Sequence, residues 1–169
     1  PFTTEDAQRR QHFFDSLTRE KSFQEDLMEQ ARSLEEDAAV LEALEYITGS
    51  LDDNGLLTSK PSDLALMSDK PLKTIQAAVK LLQSLEPPGL GATSIQECLL
   101  LQLQRKGQGD SLAAKIIRRK WDLLLRRRIP EIARAFKASP VEVEMAVEEI
   151  ARLDPAPARR YSEDNNQAV

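Results

Sequence analysis

An all-α fold, built as two small helical bundles that each contain a helix-turn-helix-like repeat, is what this sequence predicts, and three observations carry the expectation. Helix formers dominate a composition with 41% apolar, 30% charged and only 5% aromatic residues. Apolar residues recur at spacings of three and four through most of the chain. Several serines stand three positions ahead of an acid, the pattern in which a helix start and its first turn cap each other. At 169 residues the chain is long enough for a real core, in one domain or two small ones.

The first predicted helix runs from Thr4 to about Glu20 and offers Phe13, Phe14 and Leu17 to the core. Ser22-Phe23-Gln24-Glu25 reads as a second start, followed by the stripe Phe23, Leu27, Ala31. Ser33-Leu34-Glu35-Glu36 reads as a third, followed by Ala38, Leu41, Leu44, Ile47 and Leu51. Asp52-Asp53-Asn54-Gly55 then stops the helix. Counted from Asp52 as a calcium loop it fails, because positions six and twelve hold Leu57 and Asp63 where a glycine and a glutamate are required. Gly55 is therefore a turn residue.

A displacement of 68 positions superposes Leu64-Ala65 on Ile132-Ala133, Ala78-Val79 on Ala146-Val147, Leu82 on Ile150 and Leu85-Glu86-Pro87 on Leu153-Asp154-Pro155. Each copy reads as short helix, turn, longer helix, stop. Between the copies lies the corner Leu85-Glu86-Pro87-Pro88-Gly89-Leu90-Gly91-Ala92-Thr93-Ser94-Ile95-Gln96-Glu97. Pro87 and Pro88 end one helix, Gly89 and Gly91 permit the tight turn, and Ser94 with Glu97 begins the next. A phosphate loop would need a lysine after its glycines, and the acid Glu97 would oppose an anion at that helix start. The dinucleotide fingerprint fails too, since a helix rather than a strand precedes the glycines.

Beyond the corner, Ser111 to about Arg127 predicts one helix, with Leu112, Ile116 or Ile117, Trp121 and Leu124 on its apolar face. Ser139-Pro140-Val141-Glu142 opens the last helix, with proline at the favoured first position. Gly107-Gln108-Gly109 reads as a flexible join between a subdomain at 10–107 and another at 108–157. Residues 158–169, ending in SEDNNQAV, predict a disordered tail.

Charge is unevenly spread. Residues 1–50 carry five cations against twelve acids, whereas 105–128 carry nine cations against two acids. Lys115, Arg118, Arg119, Arg126, Arg127 and Arg128 are the candidate partner-binding residues within this basic island, and Arg159-Arg160 extends it. The island fits an acidic protein surface or a nucleic acid.

One cysteine, Cys98, and one histidine, His12, exclude a disulfide framework and a Cys/His zinc site within one chain. Cys98 sits in an apolar run without a nearby base, so it reads as a core residue. Asp52 and Asp53 need no catalytic explanation at a turn, and neither an enzyme activity, a metal nor a cofactor is implied. No apolar run is long enough to span a membrane and the first residues carry no signal-peptide pattern, which implies a cytoplasmic protein. The repeat makes a helix-turn-helix DNA-binding regulator the alternative function. Against it, the second copy's long helix presents Glu142, Glu144, Glu148 and Glu149, which phosphates would repel; the first offers Lys73, Gln76, Lys80 and Gln83.

The succession Leu51-Asp52-Asp53-Asn54-Gly55-Leu56-Leu57, then Leu85 through Ala92 running into Gln96-Glu97-Cys98-Leu99-Leu100-Leu101-Gln102-Leu103, resembles the core-binding region of the sigma-54 family of bacterial RNA polymerase sigma factors. Phe14 to Gln30 resembles that family's first helices, and Ile132-Ala133 through Leu153-Asp154-Pro155 its closing segment. At Asp154-Pro155-Ala156-Pro157-Ala158 the chain departs from the family's usual Pro-Lys-Pro-Gly ending. The resemblance implies a module that docks on core RNA polymerase subunits by binding rather than chemistry. It also implies a middle portion of a longer factor, whose other regions would meet promoter DNA and ATP-driven activators. The island would be one contact surface.

Overall fold

A computed structural model describes the backbone of residues 3–159 and the side chains of all of these except 19–21. The described residues form nine helices of five or more residues: α1 Thr4–Leu34, α2 Ala38–Thr48, α3 Pro61–Ser68, α4 Leu72–Gln83, α5 Ile95–Arg105, α6 Leu112–Arg119, α7 Trp121–Leu125, α8 Ile129–Phe136 and α9 Pro140–Ala151. Among them the Leu51–Leu57 bridge is an isolated antiparallel pair and no strand forms. The all-helical expectation holds.

The helix ends differ from the serine pattern in two of four places. No glycine or proline interrupts residues 4–34, so α1 runs straight through Ser22, which has no helix end to cap. Ser33 lies in the last turn of α1 and donates back to the Gln30 carbonyl at 2.7 Å. Asp37 instead caps α2, accepting from the Ala39 N–H at 2.9 Å. Thr3 and Asp6 make the reciprocal box that starts α1. Ser94 and Ser139 do cap α5 and α9. Glu97, however, reaches one residue further back than expected and accepts from the N–H and hydroxyl of Thr93, both at 2.9 Å.

Buried apolar side chains fall into two clusters. The first unites Leu27 and Ala31 of α1, Leu44 and Ile47 of α2, Leu64 of α3, and Ile75, Ala78 and Leu82 of α4. The second unites Leu99 and Leu103 of α5, Ala114, Ile116 and Ile117 of α6, Ile132 of α8, and Val143 and Ile150 of α9. Gly107-Gln108-Gly109 thus joins two helices of one core, and the change from one core to the other falls between Leu90 and Leu99. Ala158, expected in a loose tail, is buried in the first cluster and donates its N–H to the Asn54 carbonyl at 3.2 Å. Residues 160–169 lie outside the described ones.

The displacement of 68 carries α3 onto α8 and α4 onto α9 end for end. It also carries the left-handed cap Asp69, φ 56°, onto Lys137, φ 53°. Buried positions follow: Leu64 and Ile132, Ile75 and Val143, Leu82 and Ile150, Leu85 and Leu153. Fully burying such a side chain contributes about 1.5–3 kcal/mol, so the repeated pattern is where each core gains its stability. A glutamine closes each copy. Gln30 of α1 takes the N–H of Glu86 at 2.8 Å and gives to its carbonyl at 2.9 Å; Gln102 of α5 does the same to Asp154, at 2.8 and 2.6 Å.

Phe13, Phe14 and Leu17 do not join the core. The first half of α1 is exposed, with Phe13 at 59% and Phe14 at 55%, their rings meeting edge to face at 5.8 Å. The predicted basic helix is also not continuous. Lys120, at φ −130° and ψ 40°, separates α6 from α7, and both Ile116 and Ile117 are buried ahead of the break. That change of direction lets Trp121, Leu123 and Leu124 of α7 pack against the same core.

Candidate functional site

The two stretches that carry the sigma-54 resemblance meet in space. In the first, Asp52 Oδ1 accepts from the N–H groups of Asn54 and Leu56, both at 2.9 Å, which folds the Asp52–Gly55 turn tightly. The corner then lies against this turn: Gly91 donates to the Gly55 carbonyl at 3.1 Å and Leu57 donates to the Ala92 carbonyl at 2.8 Å. Gly55 has φ +92°, and a Cβ there would sit 2.6 Å from Leu90 Cδ2. Gly89 has φ +100°, and a Cβ there would sit 2.8 Å from Gln102 Nε2 and 2.9 Å from Cys98 Sγ. Any other residue at either position is strained in conformation and forces a packed side chain to shift. Gly91, at φ +82°, packs on Leu82; α4 already ends at Gln83, four residues before Pro87, so Pro87 and Pro88 lie in the segment between that helix and the turn.

Arg105 ties the cores together across this corner. Its guanidinium pairs with Glu86 at 2.7 Å and donates to the carbonyls of Gln83 at 2.6 Å and Leu85 at 3.1 Å. Cys98 is fully buried beside it. Burial pushes its thiol up to about 11; the hydrogen bond from Gln102 works the other way, and the charges of Asp154 and Glu97 add smaller rises. A neutral, enclosed thiol is a packing residue. His12 is exposed on α1. The Asp52–Gly89 region is therefore a structural hub.

The basic residues occupy a different surface. Lys115 is half-buried on α6, Arg118 and Arg119 are exposed at its end, and Arg126, Arg127 and Arg128 form the exposed turn after α7, with Arg127 left-handed at φ 56°. Arg118 donates to the Gly109 carbonyl at 3.1 Å. Arg128 pairs with Glu131 at 3.5 Å in an exposed contact, which contributes little. Among the described residues, no carboxylate lies within 4.0 Å of the other five cations. Lys120 at the break and the exposed Leu125 belong to the same stretch, and the sequence reading passed over both. Arg159 lines a groove with Asp52 and Asp53 near the first core, and Arg160 lies outside the described residues.

This surface offers unneutralised positive charge and no nucleophile beside a base, an arrangement suited to binding. The family described as sigma-54 factor, core binding domain, matches residues 12–169 of the chain. The chain belongs to this family. It is similar to the RNA polymerase sigma-54 factors of Bacillus subtilis (strain 168), 29% identical over 85% of the chain and 33% of the relative, and of Rhizobium meliloti, 25% identical over 92% and 30%. The factor of Xanthomonas euvesicatoria is 30% identical over 68% of the chain and 25% of its own length. The chain thus spans about a third or less of these relatives. Within the sigma-54 core-binding domain, the hub built on Gly55 and Gly89 is where the recognisable residues sit, and the basic turn lies apart from it. Among the described residues no helix is long and apolar enough to cross a membrane.

Proposed function

We propose that this sigma-54 core-binding domain docks on core RNA polymerase, and that Lys115, Arg118, Arg119, Arg126, Arg127 and Arg128 form one of its contact surfaces. Membership of the family over residues 12–169 carries the docking reading. The concentration of cations, five of the six with no carboxylate within 4.0 Å among the described residues, supports the choice of surface. Two helical subdomains, one around each buried cluster, would present it, each with its helix-turn-helix-like pair serving as scaffold. Promoter DNA and ATP-driven activators would engage the full-length factor through other parts of its length, in the bacterial cytoplasm.

The test is co-elution of the chain with bacterial core polymerase, beside a gel shift on unrelated duplex DNA. Co-elution without a tight shift is expected, and it weakens as salt rises because exposed charges are screened. Tight duplex binding with no co-elution would favour the DNA-binding regulator instead. Replacing Arg118, Arg119 and Arg126 together by glutamate should lower polymerase affinity at least about tenfold, with helical content unchanged. Unchanged affinity would remove the island as a contact surface.

A further inference from the structure

We infer that the basic surface takes an acidic polypeptide segment bearing an apolar side chain, with Leu125 as the apolar seat and Arg126, Arg127 and Arg128 holding the carboxylates. This rests on the docking reading and names the chemistry of what docks there. The internal repeat carries it. The displacement of 68 that places α3 on α8 also places Leu57 on Leu125. Leu57 is 3% exposed, covered by the corner whose Ala92 carbonyl accepts its N–H. Leu125 is 63% exposed. Among the described residues the chain after α9 runs to the first core, where Ala158 packs and donates to the Asn54 carbonyl. Leu125, at the end of α7, thus stands open beside three successive arginines, whereas Leu57, at the corresponding number but in the turn before α3, is closed.

The same geometry selects the occupant. Backbone amides around the seat are already used: Arg126 donates to Asp122, Arg127 to Leu124 and Arg128 to Leu123. An incoming segment thus binds through side chains, not by strand pairing. Arginine forks suit carboxylates, and an exposed aliphatic side chain among them suits a protein interface. A nucleic-acid strand would instead call for an aromatic stacking platform, but Trp121 is packed against the second core. The exposed Glu142, Glu144, Glu148 and Glu149 of α9, which packs on α6 and α8, would also repel a long polyanion.

Fluorescence anisotropy on the whole chain tests this with a labelled decapeptide of aspartates and glutamates around a central leucine, the same peptide with a central serine, and a single-stranded decanucleotide. The leucine peptide should bind at least about fivefold tighter than the serine peptide, Leu125→Ser should erase that difference, and replacing the three arginines by glutamine should abolish binding of both. Leu125→Ser should also weaken co-elution with core polymerase. Equal binding of the two peptides, or tighter binding of the oligonucleotide than of either, would overturn the inference. If the wild-type chain still co-elutes in that case, the docking reading survives; absence of co-elution with the leucine preference intact would sink the docking reading alone.

Discussion

Replacing Gln102 with alanine removes two bonds to the Asp154 peptide groups, the N–H that donates to Oε1 at 2.8 Å and the carbonyl that accepts from Nε2 at 2.6 Å, and leaves that carbonyl only the weak Cys98 thiol at 3.7 Å. Gln102 is 6% exposed and Asp154 half-buried, so water replaces these bonds poorly. An unsatisfied buried group costs about 1–3 kcal/mol; two at the low end plus lost packing give about 3 kcal/mol. Gln30 makes the same two bonds to Glu86, but Gln30 is only half-buried and Glu86 is exposed. Water can substitute there, and Gln30→Ala should cost about 1 kcal/mol, the ordinary net worth of such bonds. Urea unfolding followed by circular dichroism measures both from the shift of midpoint at constant slope. Equal costs, or a larger cost at Gln30, would refute the argument that burial sets the value of this clamp.

Asp37→Ala should destabilise by about 1 kcal/mol through loss of the α2 cap, while Ser33→Ala, which removes only a bond back into its own helix, should stay within about 0.5 kcal/mol in the same assay. Burial in the fold pushes the Cys98 thiol from its ordinary 9.0 up to about 11. The folded state therefore holds the proton more tightly, so stability is full below pH 9 and falls between 9 and 11, by on the order of 2 kcal/mol. A Cys98→Ala chain should lack this component of the decline when the two are unfolded side by side. Deleting residues 1–17 should leave the urea midpoint nearly unchanged, because Phe13, Phe14 and Leu17 are exposed; a loss of several kcal/mol would show that this half of α1 supports the core.

The sequence made the later helices more legible than the first. Ser94 follows the prolines and glycines of the corner, and Ser139 follows the left-handed Lys137 and precedes Pro140, so the backbone has ended before each cap and the serine has free N–H groups to accept from. Ser22 and Ser33 carry the same local pattern without a breaker, and continuous helix-forming sequence overrides it. The offset of 68 was visible because paired core positions must keep their spacing, and it proved to extend to helix ends. Long-range choices left no such mark. Nothing in the local pattern around Lys120 announces a break, since it is set by where Ile116, Ile117 and Trp121 find room in the second core. Nor does the pattern reveal that the Asp52–Gly55 turn and the Gly89–Ala92 corner bond to each other across more than thirty residues of chain. For the basic island, the sequence supplied the charge but not the exposure of Leu125 within it.

The residues that make the family recognisable and those proposed to make contact answer to different physical demands. Gly55 and Gly89 are held by positive φ and by side chains 2.6–2.9 Å from any added Cβ, so a larger residue at either strains the hub, whatever the chain binds. Arg126 and Arg127 stand in solvent with no carboxylate within 4.0 Å among the described residues, and the fold would tolerate many other side chains there. A loss of binding in a Gly89 variant consequently says nothing about where a partner touches, because the same change displaces Gln102 and loosens Asp154 in the second core. Only substitutions on the exposed surface, where fold and contact are separable, can locate the docking face.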